Sequence, residues 1–449
     1  MKNAFIKQLF TVALPTVIVS VLLIVSPFPA RGQTPPPDPS TPLSQGDTLR
    51  TQPVQAPLEY NISGIVKDEA TGKPIAFVNV GSAGGSHFTV TNQDGYFVLK
   101  TPSPIQEITL SHIGYVSLSR RISEEDYLSD KALNLRMQSA PLTLQEAIVY
   151  AQDPYVILGR AIDNIEDNYP RNGELMETFY RESIRKRSKY IYISEAVSHM
   201  YKSSYRDGDA WRDRVAVQKG RLLVSPRPTD TLSVKVVGGP TQCVTLDVVK
   251  DRGFLLNEEE LSNYTLEMDL PISIGNRVQY AVRLRPRVNC EYALHNGVIY
   301  IDKETYAISR VELSLDMSDK DKATRMILIR KPRGLKFNPR ELSITISYSP
   351  SEDGKYRLSY LRTTIRFDAD WKRVLLKTHV TAVNEMAVTH LFPPEQTVVP
   401  SRKESFNSRS SLSDKVELYE DPLFWKDYNI IEPTESLEKA IGKLLKTNR

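Results

Sequence analysis

The six histidines are the side chains of this 449-residue sequence that most readily bind a metal. A zinc peptidase needs a His-x-x-Glu pair, a distant third histidine and a glutamate that activates water. No histidine here has a glutamate three residues later, and no His-Glu-x-x-His motif occurs. The spacing therefore predicts no zinc site. The histidines are His87, His112, His199, His295, His379 and His390.

Other catalytic patterns are also missing from the sequence. It has no Gly-x-Ser-x-Gly elbow, and Gly84-Gly85 is not followed by the Lys-Ser/Thr of a phosphate-binding loop. The acidic run Glu258-Glu259-Glu260 lacks the spaced oxygens of a calcium loop. We predict no enzyme, no cofactor and no metal. A hydrolase with an unrecognised carboxylate pair stays open as an alternative, because any two acids could meet in space.

Two cysteines occur, Cys243 and Cys290. In an oxidising compartment they could form one disulfide, and closing a loop of about fifty residues would stabilise by roughly 4 kcal/mol on the chain-entropy model. The alternative is two separate thiols packed as small apolar groups. Sequence alone leaves both open, because it does not show how close the two Cα atoms lie.

Residues 61–138 organise the N-terminal third of the chain. Short stretches of alternating apolar and polar residues are separated by turn signals, which is typical of a β-sandwich. The run Asn92-Gln93-Asp94-Gly95 predicts a hairpin turn with glycine at the left-handed position. We therefore predict a mainly β fold that begins with a β-sandwich over residues 59–139.

The motifs of this stretch resemble the carboxypeptidase regulatory-like domain. They include Gly64-Ile65-Val66-Lys67-Asp68, Thr71-Gly72-Lys73-Pro74 and Gly114-Tyr115 in the family's order and spacing. The resemblance implies a transthyretin-like (prealbumin-like) sandwich of the kind common in envelope proteins of Bacteroidetes-type bacteria. It implies no substrate.

The N-terminus indicates export. Lys2 and Lys7 precede an apolar run at residues 9–25, and Ala30-Arg31-Gly32 offers small residues for a signal peptidase. We predict a signal peptide over residues 1–32, with an uncleaved membrane anchor as the alternative. Residues 33–58 are rich in proline and predict an extended linker. The expected location is the periplasm, the outer membrane or the cell surface.

The rest of the chain predicts a larger antiparallel β-rich part with a few helices. Residues 140–173 predict a linker strand and an amphipathic helix at 154–167 that starts at Asp153-Pro154. Residues 174–400 predict a meander, with a hairpin turn at His295-Asn296-Gly297. Residues 401–449 predict a docking helix. Its apolar stripe is Leu437, Ala440, Ile441 and Leu444.

The charge balance argues against nucleic acid as a partner. The chain has 58 basic and 54 acidic residues and no block of cations that would follow phosphates. Its richest basic run, residues 181–189, is expected to be a solvated strand end or turn. Membrane contact is expected only through the N-terminal signal or anchor segment.

These observations favour a non-enzymatic exported envelope protein that works through protein or glycan contacts. The alternative is a periplasmic carrier of lipids or lipoproteins, in which the meander curls into a half-barrel like that of lipoprotein-sorting proteins. The two hypotheses differ in one feature. A carrier needs a continuous apolar cavity, whereas a contact protein fills its core with side chains.

Overall fold

Antiparallel strands make up most of the computed structural model. It describes residues 23–27, 60–83, 85–128, 131–140, 152–225, 232–331, 333–371, 377–421 and 424–426, and positions 431, 434, 437, 439, 441 and 442. The strands are β1 (Leu23–Pro27), β2 (Tyr60–Asp68), β3 (Asn79–Ser82), β4 (Phe88–Val90), β5 (Tyr96–Thr101), β6 (Glu107–Ser111), β7 (Leu118–Arg121), β8 (Leu133–Met137), β9 (Glu174–Lys186), β10 (Lys189–Lys202), β11 (Arg214–Val224), β12 (Leu232–Val236), β13 (Tyr264–Ile274), β14 (Arg277–Pro286), β15 (His295–Asp302), β16 (Ile308–Leu315), β17 (Leu328–Arg330), β18 (Leu335–Pro350), β19 (Tyr356–Trp371) and β20 (Thr378–Leu391).

Helices are few and short. The α-helices are Glu124–Leu128, Pro154–Asp163, Ile165–Asn168, Gln242–Thr245, Glu258–Leu261, Lys320–Ile327 and Leu412–Lys415. The 3₁₀ turns are Tyr205–Asp207, Gly239–Thr241, Arg252–Phe254, Pro394–Gln396, Val416–Tyr419 and Phe424–Lys426. None of the helices in the described part of the chain is long and apolar enough to cross a membrane.

The N-terminal strands form the predicted sandwich. One sheet has the order β5-β2-β8 and the other β4-β3-β6-β7. Alternate residues of β2 are buried, so one face of that strand enters a core with Ile62, Val66, Phe97 and Leu110. The expected turn is also present. Gly95 has φ +74°, and a Cβ there would lie 2.5 Å from the carbonyl oxygen of Val66.

The second unit is a ten-stranded sheet, which we call the large sheet. Its order is β11-β10-β9-β20-β19-β18-β16-β15-β14-β13, and every neighbouring pair is antiparallel. Most neighbours are consecutive in sequence, as in a meander. There are two exceptions: β20 returns to pair with β9, and β16 pairs with β18 because β17 belongs to another sheet. The mainly β fold predicted from sequence is therefore confirmed.

The two faces of the large sheet differ in chemistry. In β18, Leu342, Ile344 and Ile346 enter the main apolar core, whereas Ser343, Thr345 and Ser347 point to the opposite side. We call these the core side and the polar side. This follows from the period of two along a strand, which sends successive side chains to opposite faces.

The predicted amphipathic helix covers part of the core side. It begins at Pro154 and is capped by Asp153, whose Oδ1 accepts a 2.8 Å hydrogen bond from the amide of Tyr155. Ile157, Leu158 and Ala161 are buried in the main core. After a break at Asn164, the helical segment continues to Asn168. The structure thus confirms the cap and the apolar stripe.

The predicted hairpin at Asn296-Gly297 is wrong. Both residues lie inside β15, where Gly297 pairs with Leu284 on one side and Leu313 on the other. A Cβ on Gly297 would come within 2.5 Å of the carbonyl oxygen of Glu312. Glycine is needed here because two strands approach closely, and the chain reverses after Asp302 instead.

The terminal predictions fall largely outside the described residues. Strand β1 lies between β12 and β17, but the remainder of residues 1–32 and the proline-rich residues 33–58 are not described. The signal peptide and linker stay predictions, and so does the linker strand before residue 152. In the C-terminal segment, Leu437 and Ile441 pack with Ile193 and Leu223. Ala440 and Leu444 lie outside the described residues.

A cluster of buried charges braces the core. Lys202 is 1% exposed, and its Nζ lies 2.8 Å from Asp247 Oδ2 and 3.2 Å from Asp213 Oδ2. Tyr205 and Tyr348 each donate a hydroxyl hydrogen bond to Asp247. Burial disfavours the charged ammonium of Lys202, but the two carboxylates outweigh this effect and raise its pKa.

Removing the cation from this cluster should unfold the protein more easily. We expect Lys202→Met to lower the free energy of unfolding by about 3–5 kcal/mol, because two carboxylates lose their buried partner. The matched control is Lys336→Met on an exposed position of β18, which should change stability by less than about 0.5 kcal/mol. Urea denaturation measures both. Equal effects of the two substitutions would contradict the buried ion cluster.

Candidate functional site

The sandwich sits on the polar side of the large sheet. The amide of Gly114 donates a 2.7 Å hydrogen bond to the carbonyl oxygen of Ser273, and the amide of Ser117 donates to Asn276 Oδ1 at 2.6 Å. At another point of the junction, the amide of Leu391 donates to the carbonyl oxygen of Ser86. The sandwich is thus attached through both β13–β14 and β20.

A cleft opens between these attachments. Its larger hollow encloses about 370 Å³. Residues of β3, β4 and β6 line one wall, and residues of β14, β16 and β18 line the other. Most polar side chains on these walls are neutral. They include Asn79, Ser82, Thr109, Ser111, Gln279, Ser309, Ser347 and Ser349.

The arginines of the cleft are already neutralised. Arg310 donates through Nε to Glu312 Oε1 at 2.8 Å and through Nη1 to Ser347 Oγ at 3.0 Å. Arg277 forms a two-point pair with Asp302. Burial disfavours the charged form of Asp302, but its hydrogen bonds with Arg277 and the amide of Thr305 prevail and lower its pKa to about 2. The cleft therefore holds paired charges.

His112 faces the larger hollow as a neutral ring. Burial and the positive charge of Arg310 lower its pKa to about 4. Its Nδ1 is buried and has no hydrogen-bond partner among the described residues. Tyr115 packs edge-on against the ring at 5.4 Å between centroids. A neutral imidazole has one donor and one acceptor nitrogen, so it suits an uncharged polar group.

Phe77 stands where the larger hollow meets a second hollow. Its ring stacks on Tyr360 at 5.7 Å, and the guanidinium carbon of Arg362 lies 4.8 Å from the ring centroid. Its backbone has φ +63°, which is unfavourable for a bulky residue. The smaller hollow encloses about 210 Å³ and shares Phe77 and Arg310 with the larger one. We call the two hollows together the groove.

An ion network lies beside the groove. Arg181 is 1% exposed, and its Nε donates to Glu195 Oε1 at 2.5 Å, so the expectation that this residue is solvated is wrong. Arg221 binds the other oxygen of Glu195. Trp425 covers Arg221, with the guanidinium carbon 4.6 Å from the ring centroid. Cross-strand pairing brings these charges together, because Arg181 lies opposite Glu195 in the β9–β10 register.

The two cysteines are free in this structure. Cys243 is buried, and burial raises the pKa of its thiol, with the carboxylate of Glu182 acting in the same direction. Cys290 is half-buried. Under oxidising conditions, a disulfide and two separate thiols both stay open, as they did from the sequence.

The histidines do not form a shared site. His87 and His390 lie at the sandwich junction with ring centroids 4.7 Å apart, whereas His295 is buried inside β15. His199 packs on Phe392, and His379 binds Asp368. Within the described ranges, no three histidine, cysteine or acidic side chains are grouped so that they could hold a metal ion.

Sequence reasoning did not find the groove. Phe77 and Arg310 are more than two hundred positions apart, and neither belongs to a recognisable binding motif. The one local signal was the alternation of Ser343, Thr345 and Ser347 in β18, which indicates a strand face that is not apolar. Alternation does not show what covers that face.

Comparison with known proteins assigns the N-terminal unit. The sequence model of one family matches residues 62–149. This segment is a CarboxypepD_reg-like domain. The match confirms the resemblance of the sandwich motifs and includes the wall of the groove formed by β3, β4 and β6. The search of curated proteins finds no match.

Several solved structures show a distant likeness to about half of the chain. A domain described as an outer membrane lipoprotein-sorting protein from Vibrio parahaemolyticus is 12% identical, covers 55% of this chain and 95% of its own, and has a TM-score of 0.29. A DUF1329 family protein from Desulfovibrio piger is 11% identical, with coverage of 55% and 96% and a TM-score of 0.24. A LolA superfamily protein from Nitrosomonas europaea is 11% identical, with coverage of 56% and 100% and a TM-score of 0.18. Scores this low support no functional argument.

Alkylation of the folded protein tests the state of the cysteines. We expect Cys290 to react with a thiol reagent before Cys243, because Cys243 is buried and its thiolate is disfavoured. Both should react after denaturation without reductant. Mass spectrometry counts the labels. Protein purified from an oxidising compartment that takes no label after denaturation would instead contain the alternative disulfide.

Phe77 of the CarboxypepD_reg-like domain allows a test of the backbone at the junction. We expect Phe77→Ala to lower the free energy of unfolding by about 2 kcal/mol through loss of the ring contacts. Phe77→Gly should be more stable than Phe77→Ala by about 1 kcal/mol, because glycine tolerates the positive φ. At exposed Lys336 in β18 the order of stability should reverse, so that Lys336→Ala is more stable than Lys336→Gly. Denaturant titration gives the free energy of unfolding of the four variants. A Phe77→Ala variant as stable as Phe77→Gly would contradict the left-handed backbone at position 77.

Proposed function

We propose that this chain is a non-enzymatic exported protein of the cell envelope that acts through protein or glycan contacts made in the groove. A CarboxypepD_reg-like domain is a regulatory, non-catalytic unit, which supports a role in contact over a role in chemistry. The predicted signal segment supports export to the periplasm, the outer membrane or the cell surface.

The position of the larger hollow carries this proposal. Binding sites occur preferentially where two structural units meet, and 370 Å³ lies within the range of roughly 300–1,000 Å³ that is usual for ligand pockets. Both units contribute hydrogen-bonding side chains, with Asn79 and His112 on one wall and Ser347 and Ser349 on the other. A ligand in the groove would contact the sandwich and the large sheet at once.

The carrier hypothesis requires a different feature. Acyl chains need an apolar cavity, which a half-barrel would provide on its concave side. On the core side of the large sheet, the described residues instead pack into one continuous apolar cluster that includes Val282, Ile299, Ile344 and Ile365. This packing favours the contact hypothesis.

Photo-crosslinking in the envelope tests the proposal. A photoreactive phenylalanine analogue replaces Thr109, an exposed residue of the larger hollow, in the full chain. We expect irradiation to yield a covalent adduct with an envelope protein or glycan. The control places the analogue at Asn134, which is exposed on β8 in the sandwich sheet that does not line the groove.

The outcomes separate the hypotheses. An adduct at position 109 and none at position 134 supports contact through the groove. Equal labelling at both positions, or none at either, contradicts it. Native mass spectrometry of the purified chain before and after organic extraction provides the second readout, and an extractable lipid mass would favour the carrier.

A further inference from the structure

We infer that the groove binds a neutral oligosaccharide with at least two sugar units. This inference rests on the proposed function and names the class of ligand. Three properties of the groove point to it: the balance of its charges, the hydrogen-bonding groups that it leaves available, and its length.

Charge balance excludes a strongly charged ligand. Arg277 is paired with Asp302, and Arg310 with Glu312, so each cation of the larger hollow has its own carboxylate. Glu352 is a further acidic residue on the wall. An anion would have to compete with these carboxylates, and a cation with these arginines. A neutral ligand avoids the cost of breaking either pair.

Neutral hydrogen-bonding groups line the same walls. The amide of Asn79 and the hydroxyl of Ser111 make no side-chain hydrogen bond to another described residue, and His112 Nδ1 also has none. An amide, a hydroxyl and a neutral imidazole together offer both donors and acceptors. Sugar hydroxyls donate and accept at once, so they match such a set. Phe88 adds aromatic surface on which the apolar C–H face of a sugar ring can pack.

The two adjoining hollows of the groove favour an extended ligand. The two hollows share Phe77 and Arg310, so they adjoin along the polar side of the large sheet. The smaller hollow repeats the chemistry of the larger one, because Thr345 and Thr364 offer hydroxyls beside Tyr360. Both hollows therefore place hydroxyls beside aromatic rings, and this repetition matches a ligand built from repeated sugar units.

Isothermal titration calorimetry of the full chain tests the inference. The probes are glucose, α-1,4- and β-1,4-linked glucose oligomers of two to six units, and an acidic galacturonate oligomer. We expect at least one neutral series to bind, with affinity that rises at least tenfold from one unit to three. The acidic oligomer should bind more weakly than neutral chains of the same length.

Two substitutions with matched controls locate the binding. Asn79→Ala should lower the affinity for neutral oligomers about five- to tenfold, as expected for loss of a hydrogen bond to a neutral ligand. Asn134→Ala should leave the affinity unchanged. Thr345→Val keeps the side-chain shape but removes a hydroxyl. It should therefore reduce the increase in affinity that comes with a longer oligomer. Its control is Thr265→Val at an exposed position of β13, which should leave that increase unchanged.

The inference and the proposed function can fail separately. The oligosaccharide inference is overturned if no neutral oligomer binds, if the acidic oligomer binds more tightly, or if three units bind no better than one. It is also overturned if Asn79→Ala and Asn134→Ala have the same affinity for neutral oligomers. A photo-adduct with a protein at position 109, without sugar binding, would overturn the oligosaccharide and keep the proposed contact function. If neither a photo-adduct nor sugar binding is observed, both the inference and the proposed function are overturned.

Discussion

Both faces of the large sheet are covered in this protein, and this arrangement shapes the rest of the molecule. An antiparallel sheet can bury one face and leave the other to solvent. Here the core side is closed by short helices such as Pro154–Asp163, and the CarboxypepD_reg-like domain with the C-terminal segment lies on the polar side. A polar surface covered by a second unit leaves space that side chains do not fill, and the groove lies there.

Buried charges lie on both the core side and the polar side of the large sheet, and their pairing favours this strand register over others. Lys202 within the core and Arg181 on the polar side are both 1% exposed, and each is held by carboxylates from other segments. Such pairs need not add to stability relative to apolar side chains, but losing one partner is costly. They therefore penalise a different strand register more strongly than apolar packing would. Phe77 joins the polar side to the sandwich by a different contact, because its ring stacks on Tyr360.

Sequence patterns were reliable where the cause was local. The cap at Asp153, the turn at Gly95 and the motifs of the sandwich depend on neighbours within a few residues, and the structure has all three. Gly297 shows the limit of this reasoning. Asn-Gly has the composition of a hairpin turn, but the glycine serves a close approach to Glu312, and nothing local separates the two roles. Arg181 was placed in solvent because its partner Glu195 belongs to another strand.

The class of fold and the sandwich of the CarboxypepD_reg-like domain follow from the sequence alone, and the sequence also shows that familiar catalytic motifs are missing from it. Alternation, turn residues and motif spacing are properties of short segments, so they can be read without coordinates. The face of the large sheet that the sandwich covers, and the side chains that meet in the groove, are seen only in the folded molecule. Asn79, Arg310 and Tyr356 come from strands far apart in sequence, and their meeting depends on how two units pack.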